Sequence, residues 1–122
     1  MMNVLIVDDS AAIRKILQRV LGQAKVPISQ VFEAGDGIEA LEILRANPVS
    51  LVLSDINMPN MDGLQLLSNV KAVEAWKNIP VVMITTEGSH AKVLEAVQLG
   101  AAGYVRKPFT PDQIKEKLAE IL

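Results

Sequence analysis

Short apolar runs alternate along the sequence with longer stretches in which apolar residues recur every three to four positions. The short runs indicate buried β-strands, and the longer stretches indicate amphipathic helices. Strands and helices in such alternation are typical of a parallel sheet covered on both faces by helices. The sequence therefore predicts an α/β fold with a doubly wound, five-stranded parallel sheet. The predicted strands cover residues 3–7, 30–34, 51–53, 81–84 and 103–106.

Capping residues are predicted for four of the five helical stretches. Each of them offers a side-chain oxygen to the free N–H groups of a first turn. These residues are Ser10, Asp36, Ser89 and Thr110. Glu39 and Gln113 follow two of them by three residues, which is the spacing of a capping box. The inward-facing residues predicted from the helical spacing are Ile13, Ile16, Leu17, Val20 and Leu21 in the first helix, and Val93, Ala96 and Val97 in the fourth.

Composition narrows the classes of partner and metal. The chain has 122 residues, so one domain over residues 1–122 is predicted. Twelve Lys and Arg against 14 Asp and Glu give a net charge of −2, which does not favour nucleic acid or anionic lipid. With no cysteine and one histidine, any bound metal must be held by oxygen. The first apolar run is too short for a signal peptide or a membrane span, so a cytoplasmic protein without membrane insertion is expected.

Groups suited to phosphate or metal chemistry lie at the ends of four of the five predicted strands. In a doubly wound sheet, ligands bind outside the carboxyl ends of the strands, beside the point where strand order reverses. If the order is 2-1-3-4-5, strands one and three are neighbours and the acids that follow them converge. The groups are Asp8 and Asp9 after strand one, Asp55 after strand three, Thr85 and Thr86 after strand four, and Arg106 and Lys107 at the end of strand five.

Three carboxylates in one small volume repel each other unless a cation joins them. Mg²⁺ suits such a site because it takes oxygen ligands and is held by one or two carboxylates together with phosphate oxygens. A carboxylate can attack phosphorus to form an acyl phosphate when a metal and a lysine neutralise the phosphoryl oxygens. Asp55 is the best placed for this role because it stands alone at the end of the central strand. Lys107 can pair with a carboxylate or a phosphoryl group, and Thr85 offers a hydroxyl on the same rim.

Five separated motifs stand out in the sequence: Val7-Asp8-Asp9-Ser10; Asp55 with Met58-Pro59 and Asp62-Gly63; Ile84-Thr85-Thr86-Glu87; Gly100-Ala101 with Tyr104; and Lys107-Pro108-Phe109. Together, in this order and over the whole chain, they resemble the receiver domains of response regulators in two-component signalling. The resemblance implies a flavodoxin-like fold. It also implies a phosphorylation-dependent switch rather than a conventional enzyme.

By this resemblance, Asp55 accepts a phosphoryl group from a histidine kinase. The resemblance also implies a cis peptide bond at Lys107-Pro108, a bond type that is essentially confined to residues preceding proline. The Mg²⁺ ligands that it implies are Asp8, Asp9, Asp55 and the backbone carbonyl of Asn57.

The resemblance assigns further roles in switching. Thr85 and Lys107 contact the phosphoryl oxygens. Thr85 then moves toward the phosphoryl group while Tyr104 swings inward, which is a population shift between two states. Asn57 and Glu87 occupy the positions that tune hydrolysis of the phosphoryl group, and both are polar here, so a short-lived phosphoryl group is expected. The choice of Thr85 rather than Thr86 for this role rests on the resemblance alone.

Ser10 after the acid pair, the run Thr85-Thr86-Glu87 and no attached output domain resemble the chemotaxis-type receivers more than the DNA-binding regulators. The implied partners are therefore a histidine kinase and a downstream protein such as the flagellar motor switch. Direct contact with nucleic acid is not expected.

Other interpretations stay open from the sequence. One is a receiver cut from a longer response regulator or hybrid kinase. Another is a metal-dependent phosphatase that forms an aspartyl phosphate, although such enzymes usually carry Asp-x-Asp after the first strand and the acids here are adjacent. A nucleotide-binding module would need a glycine-rich phosphate loop, and the sequence has none. The intact set of acids, threonine and lysine argues against a silent interaction domain.

Overall fold

Strands and helices alternate throughout the part of the chain that the computed structural model describes, residues 2–86 and 90–121. The elements are β1 (Met2–Val7), α1 (Ala11–Gln23), β2 (Ile28–Ala34), α2 (Gly37–Ala46), β3 (Leu51–Ser54), α3 (Gly63–Ala72), β4 (Val81–Thr85), α4 (His90–Gln98), β5 (Gly103–Arg106) and α5 (Pro111–Ile121). Each predicted strand is present, and the α/β prediction is confirmed.

The strands form one parallel sheet in the order β2-β1-β3-β4-β5, as predicted. β1 lies between β2 and β3, and Val7 is paired with Ala34 on one side and with Ser54 on the other. The strand order therefore reverses beside β1 and β3. This reversal opens a crevice at their carboxyl ends, where the acids follow.

Four strands extend further than the apolar runs predicted, and one of them is β1, which begins at Met2 rather than at residue 3. β2 begins at Ile28, β3 ends at Ser54 and β4 ends at Thr85. Ser54 and Thr85 are 1% and 0% exposed, so polar residues continue these strands inside the protein. A buried hydroxyl needs a hydrogen-bond partner, and the Ser54 hydroxyl donates to the Asp55 carbonyl at 2.9 Å. Apolar runs alone do not detect such residues.

Alternate residues of the central strands point to opposite faces of the sheet and pack into two separate cores. One core joins strand residues such as Leu5, Val52 and Met83 to α2, α3 and α4. The other joins strand residues such as Ile6 and Leu53 to α1 and α5. Helices therefore cover both faces, as expected for a doubly wound sheet.

Two residues predicted to face inward are exposed. Ile16 on α1 is 44% exposed and Val97 on α4 is 60% exposed. The buried stripe of α1 runs through Leu17, Val20 and Leu21, and Ile16 lies about 100° around the helix from Leu17. α4 buries Ala96 alone among its described residues, so its inward stripe is narrow. Which residues of a helix are buried therefore depends on which part of its surface the neighbouring elements cover.

The predicted helix caps that fall on described residues are present, and Asp62 forms a further, unpredicted cap, a complete capping box with Gln65 at the start of α3. Ser10 caps α1, Asp36 caps α2, and Thr110 forms a complete capping box with Gln113. The box predicted at Asp36 is only half formed, because the Glu39 carboxylate accepts from the N–H of Gly35 rather than from that of Asp36. The predicted start of the fourth helix at Ser89 lies outside the described residues.

The described helices are also short. Within residues 2–86 and 90–121, none is both long and apolar enough to cross a membrane.

Candidate functional site

Three carboxylates meet at the carboxyl ends of β1 and β3. The strands are in register at Val7 and Ser54, so Asp8 and Asp55 leave the sheet side by side. The N–H of Asp55 donates to the Val7 carbonyl at 2.9 Å, which fixes the start of the loop. One carboxylate oxygen from each of Asp8, Asp9 and Asp55 lies within 4.8 Å of the other two. The predicted convergence of the three acids is therefore present.

Lys107 places its ammonium group between two of these carboxylates. Its Nζ lies 2.7 Å from Oδ2 of Asp8 and 3.3 Å from Oδ2 of Asp55. The side chain of Asp8 is 2% exposed, and those of Asp55 and Lys107 are each 12% exposed. Low exposure limits screening by water, so the Coulomb attraction within these ion pairs is stronger than in pairs at the surface.

Backbone N–H groups hold the other oxygens of the two buried acids. Oδ1 of Asp8 accepts from the N–H of Ser10 at 2.9 Å, and Oδ1 of Asp55 accepts from the N–H of Ile56 at 2.7 Å. Asp9, by contrast, is exposed. The cluster is therefore rigid on its inner side and open to solvent on the side of Asp9.

The charges of the cluster do not balance. Three carboxylates and one ammonium group give a formal charge of −2. Carboxylates this close repel each other, and a hard divalent cation with oxygen ligands removes that repulsion. The donor set, its charge and its open side all fit a small divalent metal ion.

β4 and β5 complete the rim of the site. Thr85 ends β4 and is fully buried, whereas Thr86 is exposed. The N–H of Lys107 donates to the Thr85 carbonyl at 2.9 Å and so ties the two strand ends together. The peptide bond between Lys107 and Pro108 is cis, as the resemblance implied.

A glycine allows the loop after Asp55 to fold back tightly. The N–H of Gly63 donates to the Ile56 carbonyl at 2.8 Å. A Cβ built on Gly63 would lie 1.9 Å from the backbone carbonyl oxygen of Asp55, closer than any real contact. Only glycine fits this position without moving the backbone of Asp55.

Replacing Gly63 by Ala should therefore lower the free energy of unfolding by about 3 kcal/mol or more, because the backbone must shift to admit the methyl group. Equilibrium unfolding in urea measures this change. Gly22→Ala is the matched control, because Gly22 lies in α1 with no atom within 4 Å of the added Cβ. A loss below about 1 kcal/mol for Gly63→Ala would show that the loop adapts easily.

The same loop is fastened to the start of α2. Asn60 adopts a positive φ of 65°, which asparagine tolerates better than most residues, and its Nδ2 donates to Oδ2 of Asp36 at 2.8 Å. The N–H of Gly37 donates to the Met61 carbonyl at 3.1 Å. Hydrogen bonds from the Glu39 N–H and then from the Asn60 side chain lower the pKa of Asp36, so its carboxylate stays charged as a cap.

The remaining predicted residues lie outside the cluster of acids. Tyr104 is half-buried on β5, packs against the core on the α4 side, and has its hydroxyl oxygen enclosed. Asn57 is exposed in the loop two residues after Asp55. Glu87 lies outside the described residues. The roles of Tyr104 and Asn57 therefore stay predictions.

Sequence reasoning missed one pair beside the acids. Nη1 of Arg14 donates to the Asp8 carbonyl at 2.6 Å, and Nε of Arg14 lies 3.0 Å from Oε1 of Glu33. Burial acts to raise the pKa of Glu33, but hydrogen bonds from Arg14 and Lys15 outweigh it and keep that pKa below its usual value. No local pattern in the sequence points to this pair, because its two members lie 19 positions apart.

The fold and the site together define a class of protein. The protein has a parallel sheet of order β2-β1-β3-β4-β5, with acids after β1 and β3 and a lysine after β5. Residues 4–119 also match the family model for the response regulator receiver domain. The chain belongs to that family, whose members are signalling switches of two-component systems.

The similar proteins include chemotaxis response regulators. Chemotaxis protein CheY1 of Helicobacter pylori (strain J99) is 45% identical over 122 residues, which cover 99% of this chain and 97% of the relative. The crystal structure of chemotaxis protein CheY4 of Vibrio cholerae has a TM-score of 0.89 and 36% identity, and the match covers 100% of this chain and 99% of that one. The Mn²⁺-bound form of response regulator Rcp1 has a TM-score of 0.81 and 26% identity, covering 99% and 91% of the two chains.

Proposed function

We propose that this protein is a phosphorylation-dependent signalling switch in which Asp55 accepts a phosphoryl group from a histidine kinase with the help of Mg²⁺. The observation that carries the proposal is the convergence of Asp8, Asp9 and Asp55 beside the ammonium group of Lys107. The proposal treats residues 1–122 as one receiver domain.

The arrangement favours Asp55 over its neighbours as the acceptor. Asp8 is sealed inside by Lys107 and the Ser10 N–H, and Asp9 stands exposed at the rim. Asp55 lies between these extremes, close to Lys107 and reachable from solvent. In the proposed transfer, a carboxylate oxygen of Asp55 forms a bond to phosphorus as the bond from phosphorus to the kinase histidine breaks.

The metal ligands proposed are the carboxylates of Asp8, Asp9 and Asp55, with the backbone carbonyl of Asn57. The all-oxygen donor set and the formal charge of −2 support this choice. The Mn²⁺ in the similar protein Rcp1 supports it further. When bound, Mg²⁺ would neutralise charge on the oxygens of the transferred phosphoryl group.

Thr85 and Lys107 are proposed to bind the phosphoryl oxygens. Thr85 lies at the end of β4 and is tied to Lys107 through the backbone, so movement of one is transmitted to the other. Tyr104 on the neighbouring strand is the proposed second element of the switch. Asn57 and Glu87 are proposed to set the lifetime of the phosphoryl group.

The relatives suggest the partners. CheY1 and CheY4 are chemotaxis proteins, so we propose a chemotaxis-type regulator whose downstream target is a protein such as the flagellar motor switch. A cytoplasmic location, expected from the sequence, belongs to the same proposal.

Incubation with acetyl phosphate and Mg²⁺ should add one phosphoryl group, about 80 Da, to the intact protein. Chelation of the metal with EDTA should prevent the addition, because the uncompensated carboxylates repel the phosphoryl donor. Intact-protein mass spectrometry measures both. Steady release of phosphate from p-nitrophenyl phosphate without an adduct would contradict the proposal and indicate a phosphatase.

A further inference from the structure

Arg14 links the acid pair to the edge of the sheet. It lies in the first part of α1 with its side chain only 19% exposed, and its guanidinium group reaches back toward the end of β1. One N–H donates to the Asp8 carbonyl at 2.6 Å, and another donates to Glu33 on β2 at 3.0 Å. The fork of the guanidinium group allows both contacts at once, which a single ammonium group cannot make in the same way.

This contact completes the restraint of Asp8. The N–H of Asp8 donates to the Ala34 carbonyl at 3.0 Å, and its two carboxylate oxygens accept from Ser10 and Lys107. The carbonyl is the only polar group of Asp8 left, and Arg14 binds it. That carbonyl belongs to the peptide group joining Asp8 to Asp9, so its direction sets where the side chain of Asp9 starts.

A positive charge so near a cation site would normally oppose metal binding. Glu33 offsets that charge, because its carboxylate lies 3.0 Å from Arg14 and is ionised at neutral pH. Lys15 contacts the other oxygen of Glu33 at 3.2 Å, but its side chain is 67% exposed and the described structure gives it no contact with Asp8. Arg14 can thus hold the backbone while much of its charge is cancelled.

We propose that Arg14, itself held by Glu33, is a positioning residue for metal binding, which fixes the peptide between Asp8 and Asp9 so that the Asp9 carboxylate stays in the cluster. The proposal rests on the proposed function only for the identity of the metal. It assigns Arg14 no contact with the metal or with the phosphoryl group.

When Arg14 is replaced by Met, a positioning role and simple electrostatics predict changes of opposite sign in the affinity for Mg²⁺. Removing a nearby positive charge would by itself tighten Mg²⁺ binding. Loss of the restraint on the acid pair should instead weaken it by about tenfold, as is typical when a residue that orients a metal ligand is lost. Lys15→Met also removes one positive charge that contacts Glu33, but it leaves the bond from Arg14 to the Asp8 carbonyl in place. The Mg²⁺ affinity of this variant should therefore equal or slightly exceed that of the wild type.

Isothermal titration of MgCl₂ into the unphosphorylated protein, residues 1–122, measures these affinities. A second measurement is the rise in melting temperature that saturating Mg²⁺ produces in each variant, compared with its own metal-free melting temperature. Glu33→Gln is the milder second variant, and its Mg²⁺ binding should also weaken, because Arg14 loses its anchor and keeps its charge. Acetyl phosphate labelling of Arg14→Met should need more Mg²⁺ for half-maximal rate and reach the wild-type rate at saturation.

An Arg14→Met variant that binds Mg²⁺ as tightly as the wild type, or more tightly, would overturn the proposal even if its metal-free melting temperature fell. A lower rate at saturating Mg²⁺ with unchanged Mg²⁺ affinity would also overturn it. If the wild type binds Mg²⁺ but accepts no phosphoryl group, the proposed function fails while the affinity comparison still tests Arg14.

Discussion

Replacing Asp55 by Asn is expected to abolish the phosphoryl adduct completely. An amide oxygen is a far weaker nucleophile than a carboxylate oxygen, so no acyl phosphate should form at this position. Asn keeps the shape of Asp and can still accept the hydrogen bond from the Ile56 N–H, so the loop should keep its fold. Intact-protein mass spectrometry after acetyl phosphate and Mg²⁺ measures the loss.

Asp62→Asn is the matched control for this change. Asp62 belongs to the same loop and caps α3, and the described structure does not include it in the cluster of acids. Asparagine also caps helices well, so the variant should fold and accept phosphate like the wild type. An adduct of equal yield on Asp55→Asn would mean that the proposed acceptor is wrong.

Replacing Lys107 by Met should affect both stability and phosphoryl transfer. The change leaves the nearly buried carboxylate of Asp8 without its counter-charge. Breaking a fully buried pair in this way costs about 3 to 5 kcal/mol, and the open side of the cluster should reduce the loss to about 2 to 3 kcal/mol. The phosphorylation rate at saturating Mg²⁺ should fall by about a hundredfold, because one positive charge facing the phosphoryl oxygens is gone.

Urea unfolding with and without Mg²⁺ tests the electrostatic part of this prediction. Mg²⁺ should stabilise Lys107→Met more than it stabilises the wild type, because the metal replaces the missing positive charge. Lys115→Met, at an exposed position on α5, is the control and should change neither quantity. A Lys107→Met protein as stable as the wild type without metal would show that the ion pairs contribute little.

The location of the site was predictable because parallel strands bring their carboxyl ends to one edge. Asp8 and Asp55 lie just after short apolar runs that indicate buried strands, and the strand order places the two acids together. Lys107 follows the last strand, and its contacts with both acids agree with the pairing suggested from the sequence. The course of the backbone sets where these three residues lie, and the pattern of apolar runs predicts that course.

Contacts between side chains of different elements were not predictable in the same way. Arg14 and Glu33 are 19 positions apart, and nothing in either local pattern points to the other. The bond between Asn60 and Asp36 likewise depends on how two loops pack. Ile16 and Val97 are exposed although the helical period placed them inward, because burial also depends on which part of each helix its neighbours cover.

Identification of the phosphorylated residue tests the central proposal most directly. Borohydride reduces an acyl phosphate to an alcohol, so a phosphorylated aspartate becomes homoserine, and peptide mass spectrometry locates it at about 14 Da below the unmodified residue. After labelling with acetyl phosphate and Mg²⁺, we expect homoserine at position 55, with Asp8 and Asp9 unchanged. Homoserine at Asp8 or Asp9, or a stable phosphate on a hydroxyl group with none at position 55, would contradict the assignment of Asp55 as the acceptor.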